Sequence, residues 1–536
     1  MTRLSRDTFL KGALILTAAG VIVKVIGSVN RILLSRLLGG EGIGLYQMAY
    51  PIYLLALSIS SAGIPIAISI IVAEKIALRD YRGANRVFRI SLALLAVTGV
   101  VFTILLYNGA SWLIDHQFVR DPRAYYAIAA LAPAIFFVTV LSSFRGYFQG
   151  MQMMTPTAVS QIAEQLFRVV TMILFAYLLL PRGLEFAAAG ASFGAGPGAA
   201  AGLLVLIYFY WRYRPRLKSN IEHQPSVIQE SGWSIIRRIV SLALPVSLAN
   251  IMIPVVSNID LFIVPARLEV AGYTVEQATE LFGYLTGMAV PLVNLATILT
   301  SSLAASLVPA ISEAYTLGDH KTIYQRTSTA MRIANLITIP SFAGLCLLAT
   351  PISQMLYGTP NAGTSIAVMA FGIFLLGVHQ VTTGVLQGLG HTAIPVANMV
   401  ISAVVKTILS WVLTAMPAFG IIGAAWATNA DFGVAAILNV YFVYRYVGFG
   451  IGVKDLLKIV AATAAMGGAV LLAYDLVMSK TLHNTIATLS SIAIGGGVYG
   501  AVLLLVGGIS ASDIERLPRV GKFLAKIIRT LGLSRR

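Results

Sequence analysis

VKVIGSVNRILLSRLLGG, residues 23–40, is the stretch on which the reading of this chain turns. It belongs to an apolar run long enough to cross a membrane, yet it carries Lys24, Arg31 and Arg36. Lys24 and Arg31 are seven residues apart, so at 3.6 residues per turn they point almost the same way. Asn30 stands beside Arg31, and Ser28 lies near the same face. A charged side chain in hydrocarbon is costly and therefore faces water, meets a partner or reaches to an interface. Lys24 lies roughly 20 Å along the expected helix, too deep to reach an interface easily. The stretch thus predicts a helix lining a polar cavity of positive potential. The alternative is that both cations pair with acids on neighbouring helices. Arg36, next to Gly39-Gly40, reads as an interfacial anchor or a member of a gate.

The composition agrees with a membrane setting. Of 536 residues 57% are hydrophobic and 11% charged, with a mean hydropathy of +0.84. A soluble chain would carry about twice that charge. Apolar runs of about 20 residues recur from end to end, so the expected class is an all-α polytopic membrane protein with about fourteen spans. The alternation of a membrane β-barrel is absent. The net charge of +17 does not point to nucleic acid, because the positive residues concentrate in short loops, as in a cytoplasmic face. Cys346 is the single cysteine, which excludes an intramolecular disulfide and a CxxC metal site. No P-loop or HExxH occurs, and the six histidines are dispersed. The expectation is a transporter, not an enzyme, with no metal and no organic cofactor. Nothing resembles a cleavable signal peptide.

Basic segments set the organisation. The N-terminus carries Arg3, Arg6 and Lys11, and the loop after the second span carries Lys75, Arg79, Arg82, Arg86 and Arg89. Residues 212–238 form the longest polar segment, a basic linker between two halves. The expected divisions are 1–225 (six helices), 232–447 (six helices), 448–508 (two further helices) and a basic tail, 509–536, suited to an anionic inner leaflet. An even span number places both termini in the cytoplasm.

The halves repeat. Arg145-Gly-Tyr-Phe-Gln149-Gly150 corresponds to Thr383-Gly-Val-Leu-Gln387-Gly388, each read as a GxxQG turn joining two spans. Arg168 and Lys406 each follow their glutamine by nineteen residues. Gly190-Ala-Ser-Phe193 parallels Gly423-Ala-Ala-Trp426, and Leu78-Arg-Asp80 parallels Leu317-Gly-Asp319. Two six-helix lobes in parallel repeat, related by an axis along the membrane normal, is a transporter plan with the substrate site between the halves.

Other charges lie within spans. Glu164 and Arg168 are spaced i, i+4, as a headgroup contact or as a self-neutralising pair. Arg145 ends its helix, as an interfacial anchor or a first contact for a pyrophosphate. Lys406 and Asp431 read as a pair across a hairpin. Asp260 is the acid placed to meet the first helix, either as a gate with Arg31 or as a site for a coupling ion, H⁺ or Na⁺.

The segments LLGGEGIGLYQMAYPIY (37–53), FRGYFQGMQMMTPTAVSQIAEQLFRV (144–169), YLTGMAVPLVNLATILTSSLAASLVPAISEAY (284–315) and VLQGLGHTAIPVAN (385–398) carry a family resemblance over essentially the whole chain. The chain resembles the multidrug/oligosaccharidyl-lipid/polysaccharide exporter superfamily, and within it the stage V sporulation protein B group of polysaccharide-biosynthesis membrane proteins. The resemblance implies a flippase in the bacterial cytoplasmic membrane, working by alternating access on an undecaprenyl-linked cell-wall precursor such as lipid II. It implies a cationic cavity, whose first-helix region Lys24 and the Asn30-Arg31 pair match though not residue for residue, and a groove by the last two helices for the lipid tail; Arg145, Glu164 and Arg168 join them as candidate substrate contacts on the reading of their charges. Membrane lipids, cell-wall synthesis proteins and a monomeric state are the implied partners and form. Lipid II flippases also place arginines on the second and eighth helices, where this chain has none. The alternative from the same superfamily is a cation-coupled exporter of small molecules.

Overall fold

The computed structural model describes residues 3–61, 63–222, 230–450 and 452–508. Every regular element among them is helical, and the chain divides into two compact units, 1–283 and 284–536. The basic tail and the middle of the linker, residues 223–229, lie outside the described residues.

The first unit holds α1 (Arg3–Ser61), α2 (Ile64–Ala77), α3 (Tyr81–Asp115), α4 (Ala124–Gly150), α5 (Met154–Leu179), α6 (Leu184–Phe193), α7 (Ala195–Glu222), α8 (Gly232–Val270) and α9 (Val275–Phe282). A π-helical turn, Gly283–Ala289, follows. The second unit continues with α10 (Val290–Ala296), α11 (Ile298–Thr316), α12 (His320–Leu347), α13 (Ala349–Tyr357), α14 (Gly363–Gly388), α15 (Ala393–Leu413), α16 (Ile421–Val447), α17 (Val453–Thr481) and α18 (Asn484–Leu505). The repeat in the sequence begins its second copy at 232, whereas the first packing unit runs on through α8 and α9.

α1 is not a single rod. Gly39 adopts φ 67°, ψ −170°, which breaks the helical path. Arg31 Nη1 donates to Gln47 Oε1 at 2.7 Å. Sixteen residues of straight helix would hold them about 24 Å apart, so the chain doubles back at Gly39 and α1 is two arms. Glycine meets the positive φ without a Cβ penalty. Twelve helical stretches among the described residues are long and apolar enough to span, or thirteen if the bent pair Val275–Ala296 and Ile298–Thr316 is one crossing. The first of these, Ala18–Ala77, is 60 residues long, about three times the need of one crossing. The sequence reading expected about fourteen; among the described residues the helices that qualify number twelve or thirteen. The chain is therefore a multi-pass all-α membrane protein.

Each unit packs through small residues, which allow helix backbones to approach in lipid. The GxxQG segments correct the sequence reading here. They are not turns but the last turn of α4 and of α14. A Cβ on Gly146 would sit 2.7 Å from Pro65 O, and one on Gly384 would sit 2.7 Å from Ala304 O. Gly150 and Gly388 likewise press on Val72 of α2 and Ile311 of α11. Both glycine pairs are spaced i, i+4, on one helix face, and they seat α4 against α2 and α14 against α11.

The helix starts repeat as well. Asp80 caps α3 by accepting from Gly83 N, and Asp319 caps α12 by accepting from Thr322 N. The residue before each cap has positive φ, 57° at Arg79 and 69° at Gly318. The core of the first unit gathers on Phe88, Tyr147 and Phe148, and that of the second on Met331, Val381 and Leu386.

Candidate functional site

The second arm of α1 carries tyrosines at 46, 50 and 53, the i, i+4, i+7 spacing of one helix face. Their rings form a ladder, with centroids 5.5 Å apart between Tyr46 and Tyr50 and 5.9 Å between Tyr50 and Tyr53. Arg31, on the first arm, closes one end. Its guanidinium carbon lies 5.7 Å from the Tyr46 ring centre while Nη1 is held by Gln47. The arrangement satisfies the cation with a quadrupole and a neutral acceptor and leaves its charge uncancelled.

At the other end Arg168 of α5 stands within electrostatic range of all three tyrosines. Its Nη2 donates to Glu164 Oε1 at 2.7 Å. Arg145 of α4 donates from Nη2 to Glu164 Oε2 at 2.8 Å and from Nε to Ser160 Oγ at 3.1 Å. One carboxylate is thus divided between two guanidinium groups, and the three side chains are 14 to 17% exposed. The cluster keeps one net positive charge. Arg168 Nε is buried with no acceptor, so a donor stays unspent beside the carboxylate. Gly198 and Gly202 of α7 explain how the cluster is enclosed. A Cβ on Gly198 would lie 2.7 Å from Arg168 Cβ, and one on Gly202 would lie 3.1 Å from Glu164 Cβ.

The structure therefore brings together Arg145, Glu164 and Arg168 directly, and joins Arg31 to them through aromatic rings. Arg145 is a member of this buried cluster and not an interfacial anchor, which corrects that alternative. Lys24 is exposed, about 10 Å along the first arm from Arg31, and has no acidic partner among the described residues. Asn30 is buried and turns to α5, donating to Met172 Sδ at 3.4 Å, while its Oδ1 has no partner. Arg36 is exposed on the turn of helix before Gly39. Asp260 is half-buried on α8, two residues after Asn258, whose amide donates to Pro51 O of α1 at 2.9 Å.

Sequence reasoning passed over Tyr46, Gln47, Tyr50 and Tyr53. Their helical spacing was visible, but aromatic residues are ordinary in membrane helices and carry no charge to single them out. It also passed over a cluster at the loop before α4. Arg123 bonds Asp121 at 2.7 Å and Glu41, and Thr279 donates to Asp121 at 2.9 Å. The hydrogen-bonded Asp121 carboxylate holds the Arg123 guanidinium above the usual arginine range. This network ties the α4 start to α1 and α9.

The second unit shows what the same positions become when the charges change. Ser160, Glu164 and Arg168 correspond to Asn398, Ser402 and Lys406, each 238 positions on. Asn398 donates to Asn439 Oδ1 at 2.7 Å, and Ser402 donates to Asp431 at 2.6 Å. Lys406 is 5% exposed. Beside α12 and α13, helices α17 and α18 enclose an apolar groove of about 350 Å³, lined by Leu348, Ile352, Met466, Val470 and Ile492.

A family profile described as Polysaccharide biosynthesis protein matches residues 9–315, and one described as MatE matches residues 245–412. Stage V sporulation protein B of Bacillus subtilis (strain 168) is 31% identical, over 98% of this chain and 100% of that protein. Lipid II flippase MurJ of the same organism is 27% identical, over 91% and 94%. Among solved structures, lipid II flippase MurJ in an inward closed conformation superposes with a TM-score of 0.67 at 17% identity, over 91% of this chain and 98% of that one. An inward-facing multidrug resistance MATE family transporter of the MOP superfamily also gives 0.67, at 18% identity over 80% and 94%. At such identities these structures share the fold.

Proposed function

The chain belongs to the polysaccharide biosynthesis protein family of the multidrug/oligosaccharidyl-lipid/polysaccharide superfamily, and on that footing we propose that it is a flippase for an undecaprenyl-pyrophosphate-linked cell-wall saccharide. It moves this substrate from the inner to the outer leaflet by alternating access. The observation that supports the reading is the uncancelled charge in the first unit. Two arginines share one carboxylate, and a third cation, Arg31, lies over the Tyr46 ring with no acidic partner among the described residues. An anionic pyrophosphate accepts charge-assisted hydrogen bonds, which strengthen where water is excluded.

Arg31 and the unspent Nε of Arg168 are the proposed pyrophosphate contacts, with Lys24 recruiting the headgroup along the first arm. Arg145 and Glu164 position Arg168. The tyrosine ladder offers faces on which sugar rings stack. The α17–α18 groove suits part of a polyprenyl chain. The membrane potential, worth about 2.3 kcal/mol per charge per 100 mV, biases the return of the empty cationic site. Termini in the cytoplasm place the basic loops on the side from which substrate arrives.

The test is transport of a fluorescent lipid-linked saccharide in proteoliposomes by wild type and by a Lys24→Ala, Arg31→Ala double variant. Loss of flipping with unchanged folding is expected; wild-type flipping overturns the reading. Depletion in cells should trap a lipid-linked precursor on the cytoplasmic side. The MatE match over 245–412 favours a second reading, cation-coupled export of small molecules. Drug efflux that requires Asp260 and a Na⁺ or H⁺ gradient would establish it instead.

A further inference from the structure

A cavity in the first unit shares no lining residue with the cationic cluster. It has a volume of about 390 Å³, within the range of about 300–1,000 Å³ typical of small-molecule sites. Its wall is aromatic and thioether: Tyr147, Tyr210, Tyr213, Met151 and Met153, with Arg214 at the edge. Tyr147 and Arg145 are two residues apart on α4 and point about 200° apart, so they serve opposite sides of the helix. Arg145 faces α5, whereas Tyr147 stacks on Phe88 of α3 at 4.4 Å.

Three features of this cavity call for an occupant. The Tyr147 ring is 1% exposed, yet its hydroxyl has no hydrogen-bond partner. A buried tyrosine hydroxyl ordinarily finds one. Arg214 is exposed at the rim with no acidic partner among the described residues. The cavity also lies where helices end. It touches the end of α2 at Ile76, the start of α3 at Tyr81, the end of α4 and the α4–α5 turn at Met151 and Met153. Consecutive spans alternate in direction, so these ends share one side of the unit, at headgroup depth. Tyrosines and arginines at that depth are the usual furniture of a membrane interface.

We propose that this cavity binds one anionic phospholipid of the surrounding leaflet. An acyl chain occupies the Met151–Met153–Tyr210 wall, the Tyr147 hydroxyl donates to an ester carbonyl, and the phosphate rests on Arg214. A methionine-lined apolar wall suits a flexible chain, because thioether side chains fill irregular gaps. An anionic headgroup is favoured over a zwitterionic one because Arg214 has no acidic partner among the described residues. The bound lipid clamps the α2–α3 turn to the end of α4 and to α7. There Arg82 already donates from Nε to Ile221 O at 3.3 Å.

The test is native mass spectrometry of the delipidated full-length protein, offered phosphatidylglycerol or phosphatidylcholine in the same detergent. Wild type should retain phosphatidylglycerol about fivefold better than phosphatidylcholine, the effect of one basic group near an anionic head. Arg214→Gln should bring the two lipids to parity. Met153→Trp, which fills the wall, should lower retention of both. Tyr147→Phe keeps the ring and removes only the hydroxyl, so it weakens retention without a packing defect. Equal retention of the two lipids by wild type overturns the proposal. So does undiminished phosphatidylglycerol retention by folded Arg214→Gln, or by folded Met153→Trp, each checked by its melting temperature.

Discussion

Arg31 and Gln47 meet at 2.7 Å although sixteen residues of helix separate them. The bond closes the bend at Gly39 and fixes the height at which the Arg31 charge is presented to the tyrosine ladder. Gln47→Ala should leave the fold intact but free the guanidinium to leave Tyr46. Flipping in proteoliposomes should fall about tenfold, the price of misplacing one charged contact. Arg31→Lys should not rescue, because a compact ammonium cannot hold Gln47 and lie over the ring together.

Glu164 is the hinge of the buried charges. Glu164→Gln leaves Arg145 and Arg168 facing each other without their shared acid. Uncompensated charge at such depth costs about 3–5 kcal/mol, reduced here by residual solvent access to about 2–3 kcal/mol. The melting temperature should drop accordingly. Glu164→Gln combined with Arg145→Met should recover part of the loss, which a thermal-shift assay would register.

Arg123→Ala strips Asp121, which is 1% exposed, of its cation and leaves Thr279 as its remaining side-chain donor. Arg123 itself is about one-third exposed, so screening limits the loss to about 2 kcal/mol. The sign of its pH dependence follows from the raised guanidinium. A group raised on folding contributes fully below its unfolded value, strongly alkaline for arginine, and is lost only as pH rises beyond it. The stability gap between wild type and Arg123→Ala should therefore stay flat from about pH 6 to pH 10.

Gly146→Ala and Gly384→Ala each place a methyl group 2.7 Å from a backbone carbonyl of a neighbouring helix, α2 and α11 respectively. Backbone cannot yield as a side chain can, so both variants should lose about 1–3 kcal/mol and express poorly. Gly109→Ala has nothing within 4 Å of the new methyl and should be neutral or slightly stabilising. Melting temperatures of the three purified variants separate these outcomes.

The membrane class was legible in the sequence because hydropathy is a one-dimensional signal, and so were the cations, because charge is conspicuous in apolar runs. The i, i+4 pair Glu164–Arg168 was legible for the same reason. Its third member was not. Arg145 looked like a helix-end anchor, and only the close return of α5 along α4 brings Ser160 and Glu164 to it. The GxxQG segments read as turns because glycine permits turns, yet here its use is the absence of a Cβ at a helix contact. Tyr46, Tyr50 and Tyr53 had helical spacing but no property that sequence alone separates from ordinary packing.

The acid at the α4–α5 cluster sits on α5 in the first unit, at Glu164, but on the partner helix α16 in the second, at Asp431, whose counterpart is Gly198. In the first unit a side chain at 198 would strike Arg168 Cβ and the Glu164 carbonyl oxygen, so the close approach of α5 to α7 shuts the place that Asp431, accepting from Ser402, fills in the second unit. A paired Glu164→Ser, Gly198→Asp exchange therefore cannot graft the second unit's arrangement onto the first unless α5 and α7 also part.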